Sequence, residues 1–142
     1  MGIRRCLGEM SHAVIFVLLF LNGCASSGSL QHAKLNHEFT LRLHEAVLVG
    51  AEPVTIRFSA LIQDSRCPKE VQCIRAGNAT IALELLEAKE NRTEIELSTD
   101  SGADQTTFGH YKIQLVDVQP YPTAGQQTDS VRYNVTLVVS TK

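Results

Sequence analysis

Val54-Thr-Ile-Arg-Phe-Ser-Ala-Leu-Ile62 decides the fold class. Val54, Ile56, Phe58, Ala60 and Ile62 fall on every second position, and Thr55, Arg57 and Ser59 lie between them. Only an extended chain places alternate residues on opposite faces, so this spacing predicts a strand with one face buried. The pattern recurs on both sides. Upstream, Phe39, Leu41 and Leu43 alternate with Thr40 and Arg42. Downstream come Ala79, Ile81, Leu83 and Leu85, then the shorter Ile95 and Leu97. Tyr111, Ile113 and Leu115 follow, but Val116 and Val118 continue on mixed parity, which predicts a β-bulge near Leu115–Val116. Val131, Tyr133, Val135, Leu137 and Val139 form the last row.

Turn residues separate these rows: Gly50 to Pro53, Glu90-Asn91-Arg92, Ser101 to Asp104, and Pro120 to Asp129. No stretch keeps a helical period over three turns. Six or seven short strands over residues 37–142 predict an all-β domain, an antiparallel β-sandwich of immunoglobulin-like type, with a small closed barrel as the alternative.

The N-terminus reads differently. Arg4 and Arg5 precede an unbroken apolar run from Ala13 to Leu21. That run is about half the ~20 residues a membrane-spanning helix needs. A charged start followed by a short apolar core predicts an export signal.

The run ends in Leu21-Asn22-Gly23-Cys24. This resembles the lipobox of bacterial lipoproteins, in which a leucine and a small residue precede a cysteine that is acylated and becomes the first residue of the processed chain. Leu21, Gly23 and Cys24 match, and Asn22 departs from the usual small or apolar residue. The resemblance implies a signal peptide at 1–23 and lipidation of Cys24, whose acyl chains hold the protein on membrane lipid. It also implies a bacterial envelope location. Ala25 and Ser26 lack the aspartate that retains enteric lipoproteins at the inner membrane, so the outer membrane is favoured. Residues 24–36 begin with small polar residues and are expected to form a lipidated, flexible tether.

The chain carries a formal charge of −2, and removing the +1 of Arg4, Arg5 and Glu9 leaves −3 for the processed part. Mild acidity, the lack of any basic run and the absence of tryptophan argue against a nucleic-acid partner.

The most distinctive segment is Asp64-Ser-Arg-Cys-Pro-Lys-Glu-Val-Gln-Cys-Ile-Arg-Ala-Gly77. Apart from Cys24 and the signal's Cys6, Cys67 and Cys73 are the only cysteines, and an exported chain meets an oxidising compartment. A Cys67–Cys73 disulfide is therefore expected. Its small loop gives a stabilisation of roughly 2 kcal/mol on the loop-closure argument. Zinc sites favour cysteines closer together and in two pairs, and redox dithiols favour two intervening residues, so neither chemistry fits. Asp64 and Arg66 are read either as a buried or rim ion pair that orders the loop or, as the favoured expectation, as a solvated pair worth under ~1 kcal/mol.

The segment also resembles one found in small exported β-domain lipoproteins of uncharacterised function: Asp-Ser-Arg-Cys-Pro, then Val-x-Cys, then an aromatic residue before Ala-Gly. Asp64, Ser65, Arg66, Cys67, Pro68, Val71, Cys73, Ala76 and Gly77 match, and Arg75 stands in the aromatic place. The resemblance implies no activity.

No sequence frame for catalysis appears: there is no Gly-x-Ser-x-Gly, no His-Glu-x-x-His and no glycine-rich phosphate loop. No cofactor, metal site or enzyme activity is expected. The expected function is that of a non-enzymatic binding or envelope-structural module. It would present Asp64, Arg66, Lys69, Glu70 and Arg75 on the disulfide loop to an envelope protein. The alternative is a periplasmic metal-binding accessory using carboxylates and His32, His37, His44 and His110. His37 and His44 would face opposite sides of one regular strand.

Overall fold

The computed structural model describes residues 30–87, 91–126 and 128–142. The expected signal peptide, Cys24 and the start of the tether lie outside these residues. Among the described residues no helix is long and apolar enough to cross a membrane.

Nine strands are present among the described residues, where the sequence predicts six or seven. They are β1 Gln31–Ala33, β2 Glu38–Arg42, β3 Ala46–Val49, β4 Val54–Asp64, β5 Ala79–Glu87, β6 Asn91–Ser98, β7 Gln105–Phe108, β8 Tyr111–Gln119 and β9 Asn134–Thr141. One sheet has the order β1-β3-β4-β5-β6 and the other β2-β9-β8-β7. The result is an antiparallel sandwich and not a closed barrel. Immunoglobulin connectivity shuffles strands between sheets. Here β3 to β6 form one continuous meander, and β7 to β9 form another joined by β2.

The core is the sum of the alternating rows. Ile56, Phe58, Ile81, Leu83, Leu85 and Leu97 of one sheet face Ile113, Val118, Val135, Leu137 and Val139 of the other, all buried. Burying an aliphatic side chain of this size contributes about 1.5–3 kcal/mol, which makes this layer the main source of stability.

Several expectations are corrected. The β4 row does not continue through Ile62. Register shifts between Phe58 and Ala60 and between Leu61 and Gln63 change its parity. Leu61 packs on the core and Ile62 is 50% exposed. The bulge expected in β8 is present, with a shift between Leu115 and Asp117 that leaves Val116 exposed and Val118 buried. Val131 does not belong to β9. It lies exposed in a 3₁₀ turn, Ser130–Arg132, where its N–H donates to the Asp129 side chain.

Asn91 and Arg92, expected in a hairpin turn, belong to β6; Glu90 lies outside the described residues. The sandwich also begins earlier than residue 37. β1, within the expected tether, pairs in parallel with β3, and the Asn36 N–H donates to the Val139 carbonyl at 2.8 Å.

The strand directions define two ends. β4 and β8 run towards one end, where the segments 65–78, 99–104, 120–126 and 128–133 lie. The segments 34–37, 50–53 and 109–110 lie at the other.

Candidate functional site

The disulfide segment extends the β4–β5 hairpin beyond the sheet. After Asp64 pairs with Ala79, the Ser65 N–H donates to the Asn78 carbonyl (2.8 Å) and the Cys67 N–H to that of Ala76 (2.7 Å). Cys67 and Cys73 are bonded, with Cα atoms 5.9 Å apart, as expected from the sequence. Gly77 has φ +65°, and a Cβ there would overlap the Ser65 carbonyl, so close passage of the two strands requires glycine.

The ion pair at the base of this loop is buried, not solvated: the side chains of Asp64 and Arg66 are each 6% exposed. The guanidinium grips the carboxylate with two prongs, Nε to Oδ1 at 2.8 Å and Nη2 to Oδ2 at 2.6 Å. Its remaining donors cross to the other sheet. Nη1 donates to the Val118 carbonyl at 2.6 Å and Nη2 to the Pro120 carbonyl at 3.0 Å.

Pro120 follows a cis peptide bond from Gln119. Tyr133 closes the other side, its hydroxyl donating to Asp64 Oδ2 at 3.1 Å. Tyr121 lies beneath the guanidinium, 4.6 Å from ring centroid to Cζ, and beneath Lys69 Nζ at 5.1 Å. Arg66 thus joins the end of β4, the end of β8 and the entry to β9 in one network, and no buried side-chain polar atom among the described residues lacks a partner.

The reason for the burial is geometric. Arg66 follows the end of β4, and its donors reach the Val118 carbonyl near the end of β8 and the Pro120 carbonyl just beyond it. Burial pushes the Asp64 carboxyl up, but the hydrogen bonds and charge of Arg66, with the Tyr133 hydroxyl, outweigh it and hold Asp64 below its ordinary 3.8. Burial, then the bond to Asp64 and its charge, push the Tyr133 phenol above its ordinary 10.0.

The five residues expected to form a binding loop therefore divide. Asp64 and Arg66 are consumed by internal bonds. Lys69, Glu70 and Arg75 are exposed, and Glu70 Oε2 accepts the Ala124 N–H at 3.2 Å, tying the loop to the segment after β8. Tyr121 and Tyr133, both missed by the sequence reading as members of this site, complete it. Periodicity assigned Tyr133 to the core, and nothing local marked its hydroxyl as a partner for residue 64.

The histidines do not converge. His32 is exposed on β1, His37 precedes β2, His44 sits in the turn after β2 with φ +69°, and His110 lies between β7 and β8. Neither His37 nor His44 lies on the strand itself, so the opposite-face argument does not apply. Among the described residues no three histidine, cysteine or acidic side chains are placed to hold a metal ion.

The two aspartates of the 99–104 loop are used locally. Asp100 accepts from Asn78 Nδ2 at 2.8 Å, and Asp104 accepts from the Gly102 N–H and Gln114, each at 3.3 Å. A cavity of about 80 Å³ opens between β1, β3 and β2 against Ala33, Phe39, Leu41 and Val47.

No protein-family model matches the chain, and no curated protein or solved structure matches it either. The fold and the loop network define an antiparallel β-sandwich with a disulfide-closed hairpin locked across both sheets.

Proposed function

We propose that this protein is an exported bacterial lipoprotein, held by an acylated Cys24 to the envelope membrane. Its sandwich serves there as a non-enzymatic binding or structural module. The observation that carries this reading is the use of the Asp64–Arg66 pair. The one unusual segment of the chain spends its reactive-looking residues on internal bonds. What it turns outward is a fixed loop with Lys69, Glu70 and Arg75 at its surface. Rigid loops on a packed scaffold are the usual form of a recognition surface, because little ordering entropy is lost on contact. The disulfide supports export, since such bonds persist in oxidising compartments. The start of the chain, with Arg4, Arg5, an apolar run and Leu21-Asn-Gly-Cys24, supports the anchor. The lack of aspartate after Cys24 favours the outer membrane.

Two measurements test the reading. Mass spectrometry of the native N-terminus is expected to find acyl chains on Cys24, and an unmodified cysteine there overturns the anchor. Cross-linking in the envelope, followed by recovery of bound protein, is expected to lose a partner when Lys69 and Arg75 are both changed to Glu. Unchanged recovery from folded variant removes the loop's role.

A further inference from the structure

The geometry points to the disulfide-loop end of the sandwich as a lipid-contacting surface that rests on the same bilayer as the anchor. Three observations place it there. First, the exposed large apolar residues are unevenly distributed. Of the exposed large apolar residues among those described, Val71, Ile74 and Val131 lie in segments of the disulfide end, with Ile74 fully exposed; Ile62 and Val116 lie on β4 and β8 and Leu30 just before β1, and the segments described at the opposite end contain none. Second, the loop that carries Val71 and Ile74 exposes Lys69 and Arg75 against Glu70, a surplus of one positive charge, while Arg132 beside Val131 is offset by Asp129 and the neighbouring segment exposes Asp100. Apolar tips beside lysine and arginine suit the boundary between acyl chains and anionic headgroups.

Third, the chain enters from that direction. β1 runs parallel to β3 and antiparallel to β4, so residues before Gln31 arrive from the disulfide side. Gln31 stands level, through Val47, with Ile56, eight residues below Asp64 on β4. At ~3.3 Å per residue that is about 26 Å of strand. The seven residues from Cys24 to Leu30 reach at most ~25 Å when extended. A bilayer holding Cys24 therefore lies no farther out than about the level of Asp64 in that direction, and the loop of residues 65–78, which continues the β4–β5 hairpin past that level, would meet it. The disulfide and the Arg66 network hold Ile74 outward beforehand, so contact requires no rearrangement.

This inference rests on the anchored reading above, and for the loop tip at Val71 and Ile74 it names lipid, in place of an envelope protein, as what that surface meets; its test is separable from the anchored reading. The chain has no tryptophan, so Ile74→Trp creates a single reporter, and Glu52→Trp in the opposite-end segment 50–53 supplies a control. The whole protein is purified from membranes and placed in vesicles of phosphatidylethanolamine and phosphatidylglycerol with brominated acyl chains. Circular dichroism checks that both variants are folded.

Fluorescence at position 74 is expected to shift to the blue and to be quenched about twofold or more, while position 52 stays unquenched. Raising the salt concentration, or replacing phosphatidylglycerol by phosphatidylcholine, is expected to reduce the quenching at 74. Equal response at the two positions, or none at 74, overturns the proposal; so does a position 74 that is unquenched by lipid but cross-links to an envelope protein. If Cys24 proves unmodified, the anchor fails, and quenching by vesicles added to the soluble protein still decides whether the loop end meets lipid.

Discussion

The Tyr133 hydroxyl donates to Asp64 Oδ2 across 69 positions of sequence, on the carboxylate that Arg66 grips with two prongs. One hydrogen bond thus fastens the start of the last strand to the base of the disulfide loop. Removing Asp64 leaves the buried Arg66 charge without its counterion, and removing Arg66 leaves the Asp64 carboxylate without the two-pronged grip.

Asp64→Ala is expected to destabilise the domain by about 3–5 kcal/mol, because it strands the buried Arg66 charge. Arg66→Lys restores the charge but not the two-pronged grip or the reach to the Val118 and Pro120 carbonyls, and is expected to recover less than half of the loss against Arg66→Ala. Urea unfolding of the purified protein measures both. A loss below ~1 kcal/mol for Asp64→Ala contradicts the buried pair.

Stability is expected to fall at both ends of the pH range. The Asp64 carboxyl is depressed in the fold, so its contribution is complete above its ordinary 3.8 and disappears as pH falls through the lower folded value. Tyr133 is raised, so its contribution is complete below its ordinary 10.0 and fades as pH rises through the higher folded value. Melting curves against pH should show an acid limb that shrinks in Asp64→Asn and an alkaline limb that shrinks in Tyr133→Phe. Unchanged limbs in both variants refute the assignment.

Gly77 and Gly102 both have positive φ, but only Gly77 faces a neighbour, the Ser65 carbonyl. Gly102→Ala is expected to cost about 1 kcal/mol, the penalty of left-handed backbone alone. Gly77→Ala adds the overlap and is expected to cost at least twice that. Equal costs, read from denaturant midpoints, leave the close passage unsupported.

Replacing Cys67 and Cys73 by Ser is expected to lower stability by about 2 kcal/mol, the loop-closure contribution of a small ring. Hydrogen exchange should quicken in residues 68–76 and leave Asp64 and Ala79, paired in the sheet, protected. Loss of protection through β4 and β5 indicates that the disulfide organises more than its own loop.

The period-two rows made the sandwich legible, because Phe58, Ile81, Ile113 and Leu137 each sit on a strand long enough to show several repeats. The missed strands β1, β3 and β7 are three or four residues each, too short for a period to emerge. Parity failed at Ile62 because the bulges of β4 are not marked by glycine or proline, whereas the break in β8 was visible from Val116 and Val118 being apolar on shifted parity.

The disulfide followed from counting cysteines. The burial of Asp64 and Arg66 did not, since local spacing carries no information on carbonyls 52 and 54 residues away.

The parallel pairing of β1 with β3 has a mechanical consequence. Tension applied along the axis of β1 would load the backbone bonds linking residues 31–33 to 47–49 together, in shear, and not peel them one at a time. Such a load would pass from the smallest strand of the sandwich straight into β3, whose Val47 and Val49 belong to the core, so a tug on the leading end is shared by the packed layer.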